Sequence, residues 1–523
     1  MQPGGRPAEL RTGRFEEESM SETDSHAVAD PREIELKLDC VGSNLTALAA
    51  HPRLQGAEGA EPELLVSTYY DTPNQDLRAA GLTLRVRNQG GRHIQTVKAG
   101  QGGVGLFDRS EWETEIAGET PDPAAWADTA AEKVLRKADA PLERLFSTMI
   151  TRRVIPVRQG ESRILVTLDE GRVESPSGAS PICEVELEIA EGEPADLFAL
   201  AQTLAETVPL RLSATAKSSR GFALIDGTSP SVVKAEPVEL PDDASAGEVF
   251  RRVARACLRH MRLNETAFLA SHAPEALHQM RVSLRRLRSA LSLFAPILES
   301  DPRAISFGDE IKRVTEPFGH ARNLDVFLSQ TLPRLAKERP GDADLDALRD
   351  LAETERAKAY DSVLATLESP QWRGLIIDFA GWIEAGAWAR QEAAAEDGRA
   401  FAAQVLDRAR ERLKKRGRGL KKLDPHTRHR ARIAAKKLRY GAEFFAELFP
   451  KKKARRRQDK FGAALSDLQD HLGALNDIET ARSMTESLGG RPMPALDDAS
   501  TQDLLNAAAE ARSELLDVKP FWR

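Results

Sequence analysis

Aromatic residues make up only 5% of this 523-residue chain, and cysteine is confined to three positions, Cys40, Cys183 and Cys257. Three widely spaced cysteines give neither a disulfide framework nor zinc-ligand spacing, so reduced core residues in a cytoplasmic protein are expected. No apolar run approaches the roughly 18 residues that a membrane span needs, and the first thirty residues hold no apolar signal segment. The scarcity of aromatics also argues against a partner recognised by base stacking. The formal net charge of −7 hides an asymmetry, because the basic residues concentrate in the C-terminal half. A chain of this length exceeds what one hydrophobic core supports, so several domains are expected.

What is present begins with Glu33-Ile34-Glu35-Leu36-Lys37-Leu38, a strand pattern with charge on one face and aliphatics on the other. The pattern recurs. Arg85 and Arg87 lie on one strand and Lys98 on the next, joined by the hairpin signal Asn88-Gln89-Gly90-Gly91. Further strands hold Arg109, Arg152 and Arg153, then Asp169, then Glu184, Glu186 and Glu188. The segment from Gly100 to Gly105 matches a dinucleotide fingerprint formally, but a strand follows it where a helix is required. Three carboxylates at i, i+2 and i+4 repel one another unless a cation sits among them. The consistent arrangement is a closed antiparallel sheet of about eight strands with a charged lumen and an apolar outer surface. Acidic strands would serve a metal there, and basic strands a polyanion. Mg²⁺ suits such a site, since it takes carboxylate and phosphate oxygens together.

Glu33-x-Glu35-x-Lys37 resembles the signature of the CYTH superfamily, the triphosphate tunnel metalloenzymes. Tyr70-Asp71-Thr72, Arg85-x-Arg87, Lys98, Arg109-Ser110-Glu111, Arg153, Asp169, the three late glutamates, Lys217 and Arg220 follow in the family's order. The resemblance covers roughly residues 31–226, after a tail (1–30) expected to be disordered. It implies that Glu33, Glu35, Asp169, Glu184, Glu186 and Glu188 hold Mg²⁺ or Mn²⁺. It also implies that Lys37, Arg85, Arg87, Lys98, Arg109, Arg153, Lys217 and Arg220 grip a triphosphate. Glu33, Glu35 and Lys37 are the implied catalytic group, and the implied reaction is metal-assisted attack of water on a terminal phosphorus.

A Pro-, Ser- and acid-rich linker (227–243) then gives way to long helical patterns. His278-x-x-Arg281-x-x-x-Arg285-Arg286-x-Arg288 returns at an offset of 151 as His429-x-x-Arg432-x-x-x-Lys436-Lys437-x-Arg439. Projected on a helix, His278, Arg281, Arg285 and Arg288 form one stripe, with Leu284, Leu287 and Leu291 roughly opposite. A second pair sets Gly319-His320-Ala321-Arg322-Asn323 against Gly473-Ala474-Leu475-Asn476-Asp477. Between Arg408 and Arg439 fifteen Lys and Arg stand against two acids, Glu411 and Asp424. That density implies a polyanionic partner.

This half (244–523, repeats of roughly 244–400 and 401–523) resembles the CHAD domain, a helical module whose family role is binding inorganic polyphosphate. The ten His, Arg and Lys of the two repeated motifs are the implied ligands. The Gly319 copy departs from the family in carrying Asn323 where an acid is usual, with Asp325 two residues on. The expected molecule is therefore a barrel tunnel followed by an all-α bundle with an internal repeat. It would hydrolyse inorganic triphosphate in the tunnel and bind polyphosphate on the helices, with nucleic acid disfavoured and no membrane role. Nucleoside or thiamine triphosphate hydrolysis, adenylate cyclisation, and a non-catalytic polyphosphate-binding protein are the alternatives.

Overall fold

In a computed structural model, residues 32–55, 61–100, 103–228, 230–489 and 498–523 are described. The expected disordered tail lies outside them. The N-terminal half is built from nine strands: β1 (Arg32–Asp39), β2 (Glu63–Asp71), β3 (Leu82–Gln89), β4 (Arg92–Ala99), β5 (Leu106–Ile116), β6 (Glu143–Gln159), β7 (Ser162–Ser175), β8 (Gly178–Glu191) and β9 (Arg211–Leu212). Helices α1 (Gly42–Ala49), α2 (Asp76–Ala79), α3 (Ala130–Ala138), α4 (Pro194–Ala205) and α5 (Lys217–Ile225) decorate it.

All pairings are antiparallel, in the order β5-β4-β3-β2-β6-β7-β8-β1-β9. The sheet curls until its ends meet at β1. The first half of β1 pairs with β5 (Glu33 opposite Arg109), and its second half pairs with β8 (Glu35 opposite Glu188, Lys37 opposite Glu186). Where β5 stops, the two-residue β9, absent from the sequence expectation, continues the edge opposite Leu38 and Asp39. Period-2 alternation then sorts the chemistry. Glu33, Glu35 and Lys37 turn into the lumen, while Leu36 and Leu38 are buried in the core outside it.

That outer core is shared with the C-terminal half. Leu197, Leu200 and Leu204 of α4 pack in one cluster with Leu36, Val185 and Leu187 of the strands and with Phe250, Ile376 and Phe379 of the helices. Polar ties cross the same junction. Arg262 Nε donates to the Leu212 carbonyl at 2.8 Å, and Gln202 Nε2 to Asp378 Oδ1 at 3.0 Å.

The C-terminal half is helical: α6 (Ala246–Ser271), α7 (Pro274–Leu293), α8 (Ala295–Leu298), α9 (Pro302–Val314), α10 (Glu316–Val326), α11 (Leu332–Glu338), α12 (Ala343–Glu368), α13 (Pro370–Ala385), α14 (Gly398–Arg416), α15 (Pro425–Phe444), α16 (Lys452–Ser487) and α17 (Asp498–Asp517). The repeat is visible in its boundaries. Helices α7 and α15 both run 20 residues, start on proline and end one residue before a phenylalanine. Proline at the first turn costs no hydrogen bond, because that N–H has no partner in the helix anyway. The starts of α6 and α14 also grip each other, Ala246 N bonding to the Glu396 carbonyl at 2.8 Å and Gly398 N to the Ala244 carbonyl at 3.0 Å. Among the described residues no helix is long and apolar enough to cross a membrane.

Candidate functional site

The lumen encloses a cavity of about 220 Å³. Alternate residues of its strands reach into it: Glu33, Glu35 and Lys37 from β1, Arg85 and Arg87 from β3, Lys98 from β4, Glu111 and Glu113 from β5, Arg152 from β6, and Glu186 and Glu188 from β8. Lys217 joins them from the first turn of α5. That helix lies directly on the sheet at Gly221, where any β-carbon would come 2.2 Å from the Phe146 ring.

Charges of both signs interleave inside this wall. At one end Lys217 Nζ lies 2.9 Å from Asp169, 2.8 Å from Glu184 and 2.6 Å from Glu186. Burial alone would lower the Lys217 pKa, but these three carboxylates overcome it and hold the ammonium well above its usual value. Arg152 grips Asp169 through two bonds of 2.8 and 2.6 Å and reaches Glu186 at 2.9 Å. Lys37 pairs with Glu35 at 2.8 Å and with Glu186. Burial would raise Glu186, yet Lys217, Lys37 and Arg152 bring it well below the carboxylate range.

Elsewhere the balance fails in both directions. Glu188 stands opposite Glu35, and burial, followed by the charges of Glu33, Glu35, Glu111 and Glu186, pushes its carboxyl up to about 7. In the same cavity Arg87 is brought down to about 10, first by the neighbouring Arg85 and then by burial. Crowded carboxylates beside crowded guanidiniums suit a divalent cation and a phosphate chain bound together. The oxygen donors Glu33, Glu35 and Glu188 fit such an ion chemically. Among the described residues no three His, Cys, Asp or Glu side chains already stand at metal-holding positions.

The helical half carries a second imbalance. Arg281 and Arg285 of α7 meet Arg432 and Lys436 of α15. Burial, then Arg285 and Arg432, lower the Lys436 ammonium to about 7, with Asp477 of α16 opposing the shift. Burial, then Arg285 and Arg322, bring Arg281 to about 10, and burial followed by Arg322 lowers His278. Beside this cluster opens a cavity of about 680 Å³ lined by His320, His426, His429, Arg428 and Arg432. His429 Nδ1–H donates to Asn476 Oδ1 at 3.1 Å.

Comparison with known proteins matches residues 31–222 to the CYTH domain and residues 252–486 to the CHAD domain. The chain carries a CYTH domain and, after it, a CHAD domain. Among curated proteins it is 31% identical over 162 residues to the inorganic triphosphatase of Haemophilus influenzae, across 31% of this chain and 46% of that protein. The chain thus spans about half the length of that relative. A solved CHAD domain from the plant Ricinus communis is 30% identical, with a TM-score of 0.44, covering 55% of this chain and 90% of that one. PptA from Streptomyces chartreusis is 18% identical, with a TM-score of 0.36, covering 53% and 96%. HpAC1 from Hippeastrum, described with a dominant triphosphatase activity, is 19% identical with a TM-score of 0.30 and covers 38% and 97%.

Within the CYTH domain the structure brings Glu33, Glu35, Lys37, Arg85, Arg87, Lys98, Glu186, Glu188 and Lys217 to one cavity. It separates others from it. Arg153 is corrected outright: one residue past the lumen-facing Arg152, it lies on the outer face of β6 with Ile155 and Val157. Asp169 and Glu184 are fully buried behind Lys217, without reaching the cavity. Arg220 is engaged at 2.9 Å with Asp39 and 3.0 Å with Glu184, outside the lumen. The side chain of Arg109 lies outside the described residues. Sequence reasoning missed Arg152, Glu111 and Glu113 as lumen residues, although Thr148, Ile150 and Arg152 share one strand face by alternation.

In the CHAD domain Arg286 is the correction. It is buried, paired with Glu443 and stacked 4.9 Å over the Phe444 ring, so it fastens α7 to α15. Lys437 bonds to Ser292 Oγ at 2.7 Å and Arg439 to Glu443 at 2.8 Å, while Arg288 is exposed. Arg322 and His320 of α10, and His426 three residues ahead of His429 on α15, join the central group as well. Asp325 is a structural acid: it is buried, with Arg356 Nε at 2.6 Å and the Tyr360 hydroxyl at 3.0 Å.

Proposed function

We propose that the CYTH domain hydrolyses inorganic triphosphate with Mg²⁺ or Mn²⁺ and that the CHAD domain binds inorganic polyphosphate. The observation that carries this reading is the lumen itself, where a carboxyl raised to about 7 among other acids lines the same cavity as an arginine lowered to about 10 beside another cation. A divalent ion relieves the first imbalance and a phosphate chain the second. The match to an inorganic triphosphatase supports the choice of substrate.

Glu33, Glu35 and Glu188 would hold the ion, with Glu111 beside them. When bound, it supplies charge neutralisation and polarisation of phosphate oxygens toward attack by water. Arg85, Arg87, Lys98 and Arg152 grip the chain of phosphates from three strands. Their fixed charges stabilise the negative charge gathering on the departing diphosphate. Lys37 is held in place by Glu35 and Glu186, and Lys217 by Asp169, Glu184 and Glu186. These pairs keep two ammonium groups oriented at the lumen wall without a substrate present.

In the CHAD domain His278, Arg281, Arg285, Arg322, His429, Arg432 and Lys436 form the polyphosphate site. Arg281 and Lys436, half-buried here and lowered first by burial and then by neighbouring cations, belong to a group short of anions. The test is phosphate release from the whole chain with Mg²⁺, offering triphosphate, ATP and long-chain polyphosphate side by side. Release from triphosphate alone, with polyphosphate bound but not consumed, is expected. No release from any of them would overturn the catalytic reading.

A further inference from the structure

The two cysteines expected to be separate core residues are neighbours. Cys40 follows the last residue of β1, and Cys183 faces it from β8 in the register that sets Asp39 opposite Glu184. Their backbones are joined, Cys40 N bonding to the Cys183 carbonyl at 3.2 Å. The two Sγ atoms lie 2.9 Å apart. Hydrogen-bonded antiparallel neighbours hold their Cα atoms about 5.5 Å apart, inside the range that a disulfide spans. Closing the sulfurs to bond length takes less than about 1 Å. Both thiols are free and half-exposed, whereas Cys257 is buried.

Alternation places this pair on the outer face of the barrel, away from the lumen. There it lines a cavity of about 820 Å³ between the two domains, whose far wall is Arg262, Leu263 and Thr266 of α6. A small oxidant reaches the sulfurs through that cavity. The adjoining residues couple the pair to the tunnel wall, since Asp39 and Glu184 together hold Arg220, and Glu184 also holds Lys217.

We propose that Cys40 and Cys183 are a hydroperoxide-reactive dithiol that forms a reversible cross-strand disulfide at the junction of the two domains. One thiolate attacks the peroxide O–O bond, forming a sulfenic acid and releasing an alcohol, or water when the oxidant is hydrogen peroxide. The second thiol attacks that sulfur, the S–S bond forms, and water leaves. Two thiols and one hydroperoxide thus give one disulfide, and the two electrons lost by sulfur reduce the peroxide.

The full chain is treated with equimolar hydrogen peroxide, alkylated and analysed by mass spectrometry. A linked Cys40–Cys183 peptide lighter by two hydrogens is expected, restored to two thiols by dithiothreitol, with Cys257 alkylated only after denaturation. Cys40→Ser leaves Cys183 without a partner thiol, so its oxidation should stop at a sulfenic acid that dimedone traps. Cys257→Ser should leave the linkage unchanged. Continued alkylation of both cysteines under peroxide that oxidises glutathione would overturn the proposal. So would irreversible oxygen addition without a linked peptide, or a disulfide between two molecules.

Discussion

Phe294 and Phe445 meet with ring centroids 5.4 Å apart at the point where α7 and α15 end, and neither exposes any surface. They are equivalent positions of the internal repeat, 151 residues apart. Phe250 and Phe401, related by the same offset, both lie 5.3 Å from Phe294. Four phenylalanines, two from each repeat, thus form the seam of the CHAD domain. The repeat gives two half-bundles that bury equivalent rings against each other, and the cation cluster sits where the paired helices α7 and α15 run side by side.

Truncating a fully buried phenylalanine removes its transfer energy and leaves a cavity. Phe294→Ala should therefore cost about 3–5 kcal/mol in urea unfolding. Phe445→Ala should cost a similar amount, because it occupies the equivalent place. The double variant should cost less than their sum, since both changes open one shared space. Strict additivity would mean that the two rings do not share a packing site.

Adjacent arginines on β6 offer a direct comparison. Arg152 lines the lumen and holds Asp169 and Glu186, whereas Arg153 lies on the outer face. Arg152→Ala should lower kcat/KM for triphosphate by a hundredfold or more, the scale expected for loss of a charge-stabilising donor, roughly 10²–10³. Arg153→Ala should leave it within about threefold, as distant changes that do not unfold the protein commonly do. Steady-state kinetics on both variants decides, and equal losses would remove the distinction between the two faces.

Lys436 fixes a pH dependence. Its ammonium falls to about 7, against 10.5 for an ordinary lysine, because of burial and then Arg285 and Arg432. Between these values the unfolded chain binds the proton and the folded chain does not, so this group makes ligand-free stability rise as pH increases from about 7 to 10.5. A bound polyanion favours the charged form, so polyphosphate affinity should fall over the same interval. Lys436→Met should flatten both trends, in thermal shift and in titration of polyphosphate at constant salt. An unchanged pH profile in that variant would assign the dependence to another group.

Much of the architecture was legible because two periods dominate the chain. Alternation in Glu33–Leu38 and in Cys183–Ile189 marks strands with opposed faces, and the offset of 151 marks two related helical units. What was not legible depends on tertiary closure. Arg152 and Arg153 are both cations on a strand, and only the pairing of β6 with β2 and β7 says which one faces inward. Arg286 sits inside a repeated basic motif, yet Glu443, 157 residues away, turns it into a structural pair. Cys40 and Cys183 are separated by 143 residues and become neighbours only through the register of β1 on β8.

Glu35 and Glu184 separate metal binding from support of the wall. Both are acids implied as metal ligands, but Glu35 lines the lumen opposite Glu188, while Glu184 is fully buried against Lys217 and Arg220. Removing Glu35 takes away an oxygen donor where the carboxylates crowd. Even second-sphere changes at metal sites commonly weaken affinity 10–100-fold, so Glu35→Ala should raise the Mg²⁺ concentration for half-maximal phosphate release by at least roughly tenfold. Polyphosphate binding by the CHAD domain should be unaffected. Removing Glu184 instead leaves Lys217 to Asp169 and Glu186 and strips a partner from Arg220. Breaking a buried ion pair costs roughly 3–5 kcal/mol, and the remaining carboxylates place Glu184→Ala near the lower end. It should appear as a lower melting temperature with little change in Mg²⁺ requirement. Titrating Mg²⁺ against both variants, alongside their thermal unfolding, tells the roles apart, and a shifted Mg²⁺ requirement in Glu184→Ala would return that residue to the metal site.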